Sequence, residues 1–128
     1  MTERLEPVNS LETMLKSAQE GHSSFDSFID MLMTSDLFAA STSELLDKDT
    51  SFVPMLFDRE GVPMLAVFTD KSRASLYKEK LKSLAKKTGE HLLLTMPKGY
   101  GVVINPGFDV GLEILPEGVE NLLQKRKA

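Results

Sequence analysis

The chain has 128 residues, 41% hydrophobic and 27% charged, with a formal charge of −4. That balance fits one globular domain and excludes collagen-like, disordered and disulfide-scaffold classes. The absence of cysteine removes disulfides, a thiol nucleophile and sulfur ligands for zinc. No segment approaches the roughly 20 apolar residues of a membrane helix. The start, Met1-Thr2-Glu3-Arg4-Leu5-Glu6, lacks the basic and apolar regions of a secretion signal. The expected setting is soluble and cytoplasmic, without a membrane.

Residues 1–8 read as a flexible start. Leu11, Met14, Leu15 and Ala18 then recur at helical spacing behind Asn9 or Ser10 as N-cap, and Gly21 stops the helix. Phe25, Phe28, Ile29, Leu32 and Met33 mark a second helix capped by Ser23 or Ser24. Leu37–Ala40 reads as a short strand, followed by a polar loop over Ser41–Ser51. The apolar runs Phe52–Phe57 and Val62–Phe68, separated by Asp58-Arg59-Glu60-Gly61, predict a hairpin. Pro54 and Pro63 lack an amide donor, which places them near strand ends or on an unpaired edge.

Thr69 or Asp70 caps a basic helix from Lys71. Its apolar stripe, Ala74, Tyr77, Leu81, Leu84 and Ala85, carries it to Lys87, unless a break near Lys82 leads into a short strand. Gly89 terminates this segment, and His91–Leu94 forms a helical turn. Gly101–Ile104 is a β-branched strand. In Asn105-Pro106-Gly107, proline fixes φ at the first central position and glycine tolerates the positive φ of a type II turn at the second. Val110–Leu115 is the partner strand. Pro116 opens a closing helix, with Glu117 at its positive end and a frayed end expected over 124–128. These elements sum to a single α+β domain over 1–128, a mixed or antiparallel sheet of about four to six strands with helices packed on it.

Charge is unevenly distributed. Residues 1–64 hold twelve acids and four bases, whereas residues 65–128 hold seven acids and eleven bases. Lys71, Arg73, Lys78, Lys80, Lys82, Lys86 and Lys87 face only Glu79 within their segment. Such a cluster attracts nucleic acid or an acidic surface. The plainer reading is a solvated helix whose lysines border its buried stripe. No aromatic interleaving of the single-strand-binding kind accompanies the lysines. Lys71, Lys78, Lys82 and Lys86 are the candidate basic surface, with nucleic acid not the expected partner.

Catalytic constellations are scarce. His22 and His91 are far apart and in no metal-ligand spacing. There is no Gly-x-Ser-x-Gly elbow, Walker loop or Rossmann fingerprint. Asp58, Asp70, Asp109 and Glu113 fall near strand ends, where Asp serves turns and caps through local hydrogen bonds; a cation site built from them has no regular ligand spacing behind it. No metal, cofactor or catalytic residue is assigned.

The stretch from Val102 through Asn105-Pro106-Gly107-Phe108-Asp109-Val110-Gly111-Leu112 to Pro116-Glu117, with Val119 and Leu122 behind it, resembles the signature of the SseB N-terminal domain family. Val62-Pro63 leading to Val67-Phe68-Thr69 resembles that family's hairpin strand before a helix, and Leu37-Phe38 its short first strand. Leu76-Tyr77 stand in the region where relatives often hold tryptophan. The resemblance spans roughly residues 10–123. It implies a bacterial α+β domain with no secure tie to an enzymatic activity, its name referring to enhanced serine sensitivity.

The leading expectation is a non-enzymatic interaction domain that recognises a protein partner through the 105–111 loop. There Asn105 and Asp109 would present polar groups beside an exposed Phe108; the structural reading of the same residues is a tight strand connection and nothing more. Opposed charge halves also permit head-to-tail self-association into a homo-oligomer. The rival from another class is a small enzyme or metabolite-binding domain using the acids near the strand ends. Nucleic-acid binding by 71–87 is a third.

Overall fold

A computed structural model of the chain describes residues 2–43 and 53–127, without the side chains of residues 126 and 127. Its elements run α1 (Ser10–Gln19), α2 (Phe25–Thr34), β1 (Asp36–Ser41), β2 (Leu56–Arg59), β3 (Val62–Phe68), a 3-10 turn over Lys71–Tyr77, β4 (Ser83–Thr88), α3 (Gly89–Thr95), β5 (Gly101–Ile104), β6 (Leu112–Ile114) and α4 (Pro116–Lys127). The expected loop over 41–51 and the strand start at Phe52 fall largely outside the described residues.

The helix ends follow local chemistry. The Asn9 side chain accepts the Glu12 amide and opens α1. At its other end Gly21 takes a φ of 82°, and the amides of Gly21 and His22 close back on the carbonyls of Ala18 and Ser17, a Schellman ending. Ser24 caps α2 through the Ser27 amide.

The six strands form one open sheet in the order β4-β1-β3-β5-β6, with β2 paired to β3. β5 pairs Met64 to Val67, β2 pairs Val62 to Leu65, and β1 pairs Val67 and Phe68. β1 and β2 therefore share one edge of β3, and β5 holds the other. The β3–β5 pair is parallel and the other pairings are antiparallel.

Side-chain alternation divides the sheet into two faces. Leu37, Ala39, Leu65, Val67, Ala85, Val102 and Ile104 pack in one cluster with residues from all four α-helices, including Leu15, Phe28, Leu32, Leu93 and Val119. Each such leucine, withdrawn from water, contributes about 1.5–3 kcal/mol. The opposite face holds a smaller cluster of Ala40, Met55, Ala66, Phe68 and Ala74, with Phe38, Phe57, Tyr77, Leu81 and Leu84 packed against it. Among the described residues this second face is covered by the 3-10 turn and the link that follows. Tyr77 stands edge-on to Phe57 at 5.5 Å between ring centroids.

At three places the sequence expectation meets tertiary structure. Of the two readings left open for 71–87, the break near Lys82 into a short strand is the one found: the 3-10 turn ends at Tyr77 and β4 begins at Ser83. Ala74 and Tyr77 meet the second face at the three-residue spacing of a 3-10 turn. Leu84 and Ala85 instead pair with Ala40 and Ala39 along the edge of β1, so sheet pairing wins over the helical stripe. The segment does end at Gly89, β4 stopping at Thr88, and Gly89 also opens α3; a Cβ there would stand 2.2 Å from the Leu32 carbonyl oxygen, so α3 approaches α2 at backbone contact. The start is not loose, because Leu5 is 1% exposed and joins the main cluster. α4 runs Pro116–Lys127.

Candidate functional site

Ligand sites in sheets with parallel strands gather outside the carboxyl ends of those strands. In this chain that place lies beyond Phe68 of β3 and Ile104 of β5, where the Asn-Pro-Gly bend begins. Asn105 adopts a φ of 55°, a left-handed conformation that asparagine tolerates better than most residues. Its amide donates to the Val67 carbonyl at 2.8 Å. Its side-chain Oδ1 accepts from the Thr69 amide at 3.1 Å, and Nδ2 donates to Thr69 Oγ1 at 2.9 Å and to the Val110 carbonyl at 3.2 Å. Asn105 thus clamps the end of β3 to the exit of the loop.

The type II turn follows as its chemistry requires. The Phe108 amide closes on the Asn105 carbonyl at 3.1 Å, and Gly107 has a φ of 87°. A Cβ on Gly107 would also meet Leu76 and the Tyr77 hydroxyl at 2.7 Å, so the bend is pressed against the 3-10 turn.

The loop is roofed by the chain's own start. Glu3 donates to the Gly107 carbonyl at 2.8 Å and accepts from the Asp109 amide at 2.9 Å. Asp109 Oδ1 accepts the Leu5 amide at 2.8 Å. Gln19 reaches from α1 to donate to the Asp109 carbonyl and accept the Gly111 amide. The three residues expected to face a partner are therefore placed differently. Asn105 is buried, Phe108 is half-buried against the main core, and Asp109 is exposed with its carboxylate engaged.

Beside this bend lies an ion pair that the sequence reading missed. Glu12 is fully buried on α1. The Arg73 guanidinium grips it with both arms, Nε to Oε2 at 2.9 Å and Nη2 to Oε1 at 2.7 Å. Thr69 Oγ1 donates to Oε2 at 2.6 Å, and the Val8 amide donates to Oε1 at 3.0 Å. Arg73 also donates to the Glu6 carbonyl at 2.6 Å and lies 5.8 Å from the centre of the Phe108 ring. Burial works to raise the Glu12 carboxyl, yet Arg73, Thr69 and Val8 together hold it below the usual carboxylate range. The same pairing holds Arg73 above its usual value. A signal existed: glutamate three residues after an asparagine N-cap is the capping-box position, although here the carboxylate takes the amide of Val8 instead of Asn9.

The remaining candidate acids do not converge. Asp58 accepts the Gly61 amide in the β2–β3 turn. Asp70 caps the 3-10 turn, and the hydrogen bond from the Ser72 hydroxyl lowers its pKa. Glu113 on β6 takes Arg59 of β2 at 2.7 Å across the second face. His91 is exposed on α3. Among the described residues no group of three or more His, Asp or Glu is placed to hold a metal ion.

The basic candidates are divided as well. Lys71 opens the 3-10 turn, Lys78 caps its end, Lys82 enters β4 and Lys86 lies within it. All four are exposed, on the border of the second face.

A cavity of about 290 Å³ opens on the helical side, lined by Ala39, Leu65, Leu92, Met96 and Tyr100 among others.

The chain matches the family model described as SseB protein N-terminal domain over residues 11–121. The chain belongs to the SseB N-terminal domain family. No curated protein and no solved structure matches it. The SseB match runs from the first turn of α1 to the middle of α4, so Glu12, Thr69, Arg73, Asn105 and the 105–111 bend lie inside the family region, while Val8 and Glu6, which complete the network, precede it. No helix among the described residues is long and apolar enough to cross a membrane.

Proposed function

We propose that this SseB-family chain is a non-enzymatic protein-interaction domain of the bacterial cytoplasm. We further propose that its partner surface is the second face of the sheet, with its basic border, and not the 105–111 loop. The observation that carries this reading is the Glu12–Arg73–Thr69–Asn105 network. At the carboxyl ends of β3 and β5, the ionisable groups face one another with their hydrogen bonds already made. A general acid or base must instead reach a substrate proton.

Recognition needs exposed groups on a rigid support. The 3-10 turn that covers the second face exposes Leu76 at 41% beside Gly107, and the face itself offers half-buried Phe38, Phe57 and Tyr77 with Lys71, Lys78, Lys82 and Lys86 around them. Affinity capture from native lysate tests the reading. A partner held by the native chain should be retained by Asp109→Ala and lost by Lys78→Glu/Lys82→Glu. Retention by the lysine variant and loss by Asp109→Ala would return the site to the loop.

The cavity beside Leu92 and Met96 favours a second reading, a binding site for a small, mainly apolar metabolite. Leu92→Trp would fill it and remove any such ligand without touching the second face.

A further inference from the structure

Among the described residues the sheet has three open edges, and they differ in length and charge. β6 contributes three residues and β2 four, whereas β4 contributes six, Ser83 to Thr88. Opposite residues in an antiparallel pair alternate between bonded and non-bonded, so every second residue turns its amide and carbonyl away from the partner. Two bonds fix the phase here. Gly89 donates to Ser35 at 3.1 Å, and the Ala40 carbonyl accepts from Met55, away from β4. Continuing that phase, Ala85 bonds β1, while Leu84 and Lys86, opposite Ala40 and Phe38, point their backbone groups at the open edge.

An open edge is a template for another strand, and lysines are a common guard against it. The guard also selects by charge. A second copy of β4 in the registers centred on Lys86 or Leu84 would set Lys86 against Lys86 or Lys82, which like charges oppose. An extended segment carrying carboxylates at alternate positions would meet Lys82 and Lys86 along its length. We infer that the outer edge of β4 accepts an acidic, extended peptide segment of a partner protein as an added strand, with the Leu84 and Lys86 backbone groups forming its ladder. This inference rests on the interaction reading above and names its partner's chemistry.

Synthetic probes test it on the full chain. A ten-residue peptide alternating Glu with Val should bind and slow amide hydrogen exchange at Leu84 and Lys86. A Lys–Val peptide of the same length and oligothymidylate should not bind. Raising the salt should weaken the acidic peptide, and Lys82→Glu/Lys86→Glu should weaken it about tenfold. Unchanged exchange in β3 verifies that this variant is folded, and Lys82→Gln/Lys86→Gln should give an intermediate affinity. Preference for the basic peptide or the oligonucleotide would overturn the inference, as would protection confined to β2 or β6. If no peptide binds while the lysate partner is still lost in the lysine variant, strand addition fails and the interaction reading survives.

Discussion

Replacing Arg73 with methionine isolates the ion pair under the Asn-Pro-Gly bend. Glu12 has 0% side-chain exposure and Arg73 13%, so the substitution leaves a carboxylate away from water with Thr69 and Val8 as its remaining donors. Stranding one partner of a buried pair costs about 3–5 kcal/mol. Because Arg73 lies at the rim of the site, where water can reach, the expected loss is about 3 kcal/mol, or roughly 12 °C in Tm for a domain of this size. Urea and thermal unfolding measure it.

The pH dependence carries a sign that packing loss would not. In the native chain the folded pKa of Glu12 lies below its ordinary value of 4.5. Its stabilisation is therefore complete above that value and is lost as pH falls through the folded pKa. Without Arg73, burial dominates and the folded pKa rises above the unfolded one. The variant then recovers relative stability as pH falls from 7 towards 4, and the gap to the native chain narrows. Glu12→Gln in the Arg73→Met background keeps an acceptor oxygen for the Val8 amide and turns an NH2 towards the Thr69 hydroxyl, without the charge, and should restore at least ~1.5 kcal/mol at pH 7. A gap that stays constant with pH, together with additive single and double variants, would refute the reasoning.

Other substitutions test the remaining parts of the site. Leu5→Ala should cost about 2–4 kcal/mol by chemical denaturation, because this residue of the start lies in the main core; a surface-like change below ~0.5 kcal/mol would mean that the start is loose. Asn105→Ala should be worse than Asn105→Gly by about 1 kcal/mol in the same assay, since both lose the clamp and alanine alone meets the left-handed strain. Gly89→Ala should destabilise by at least ~2 kcal/mol through the contact with the Leu32 carbonyl, read as a fall in Tm.

Much of the fold is legible because its signals are local. Asn9, Ser24 and Asp70 cap the elements that follow them, Gly21 ends α1, and Asn105-Pro106-Gly107 turns between β5 and β6. Where local pattern left two readings open, tertiary demand decided between them. The spacing of Ala74, Tyr77, Leu81, Leu84 and Ala85 suits a helix, but β1 has an edge to pair, and the second half of the stripe pairs with it. Residues 2–8 carry no periodic signal, and what holds Leu5 and Glu3 is the 105–111 loop a hundred residues away.

The geometry of the candidate loop was only partly legible for the same reason. Asn105 and Asp109 are polar residues in a loop, which suggests presentation to a partner. Their bonds to Thr69, Val110 and Leu5 depend on elements distant in sequence. Glu12 lies beside Leu11 and Leu15 on the buried side of α1, and its tolerance there requires Arg73, 61 residues on. The lysines read as one solvated helical face divide between a 3-10 turn and an edge strand, which turns a charge cluster into a charged edge.

The proposed division of labour makes the C-terminal bend internal scaffolding and has partners meet the lysine-bordered side of the sheet. Photo-crosslinking in living cells, with the reactive side chain placed singly at Leu76, Lys82, Lys86 or Asp109, tests it most directly. Discrete adducts from Leu76, Lys82 and Lys86 and none from Asp109 are the predicted result; adducts from Asp109 alone would contradict it.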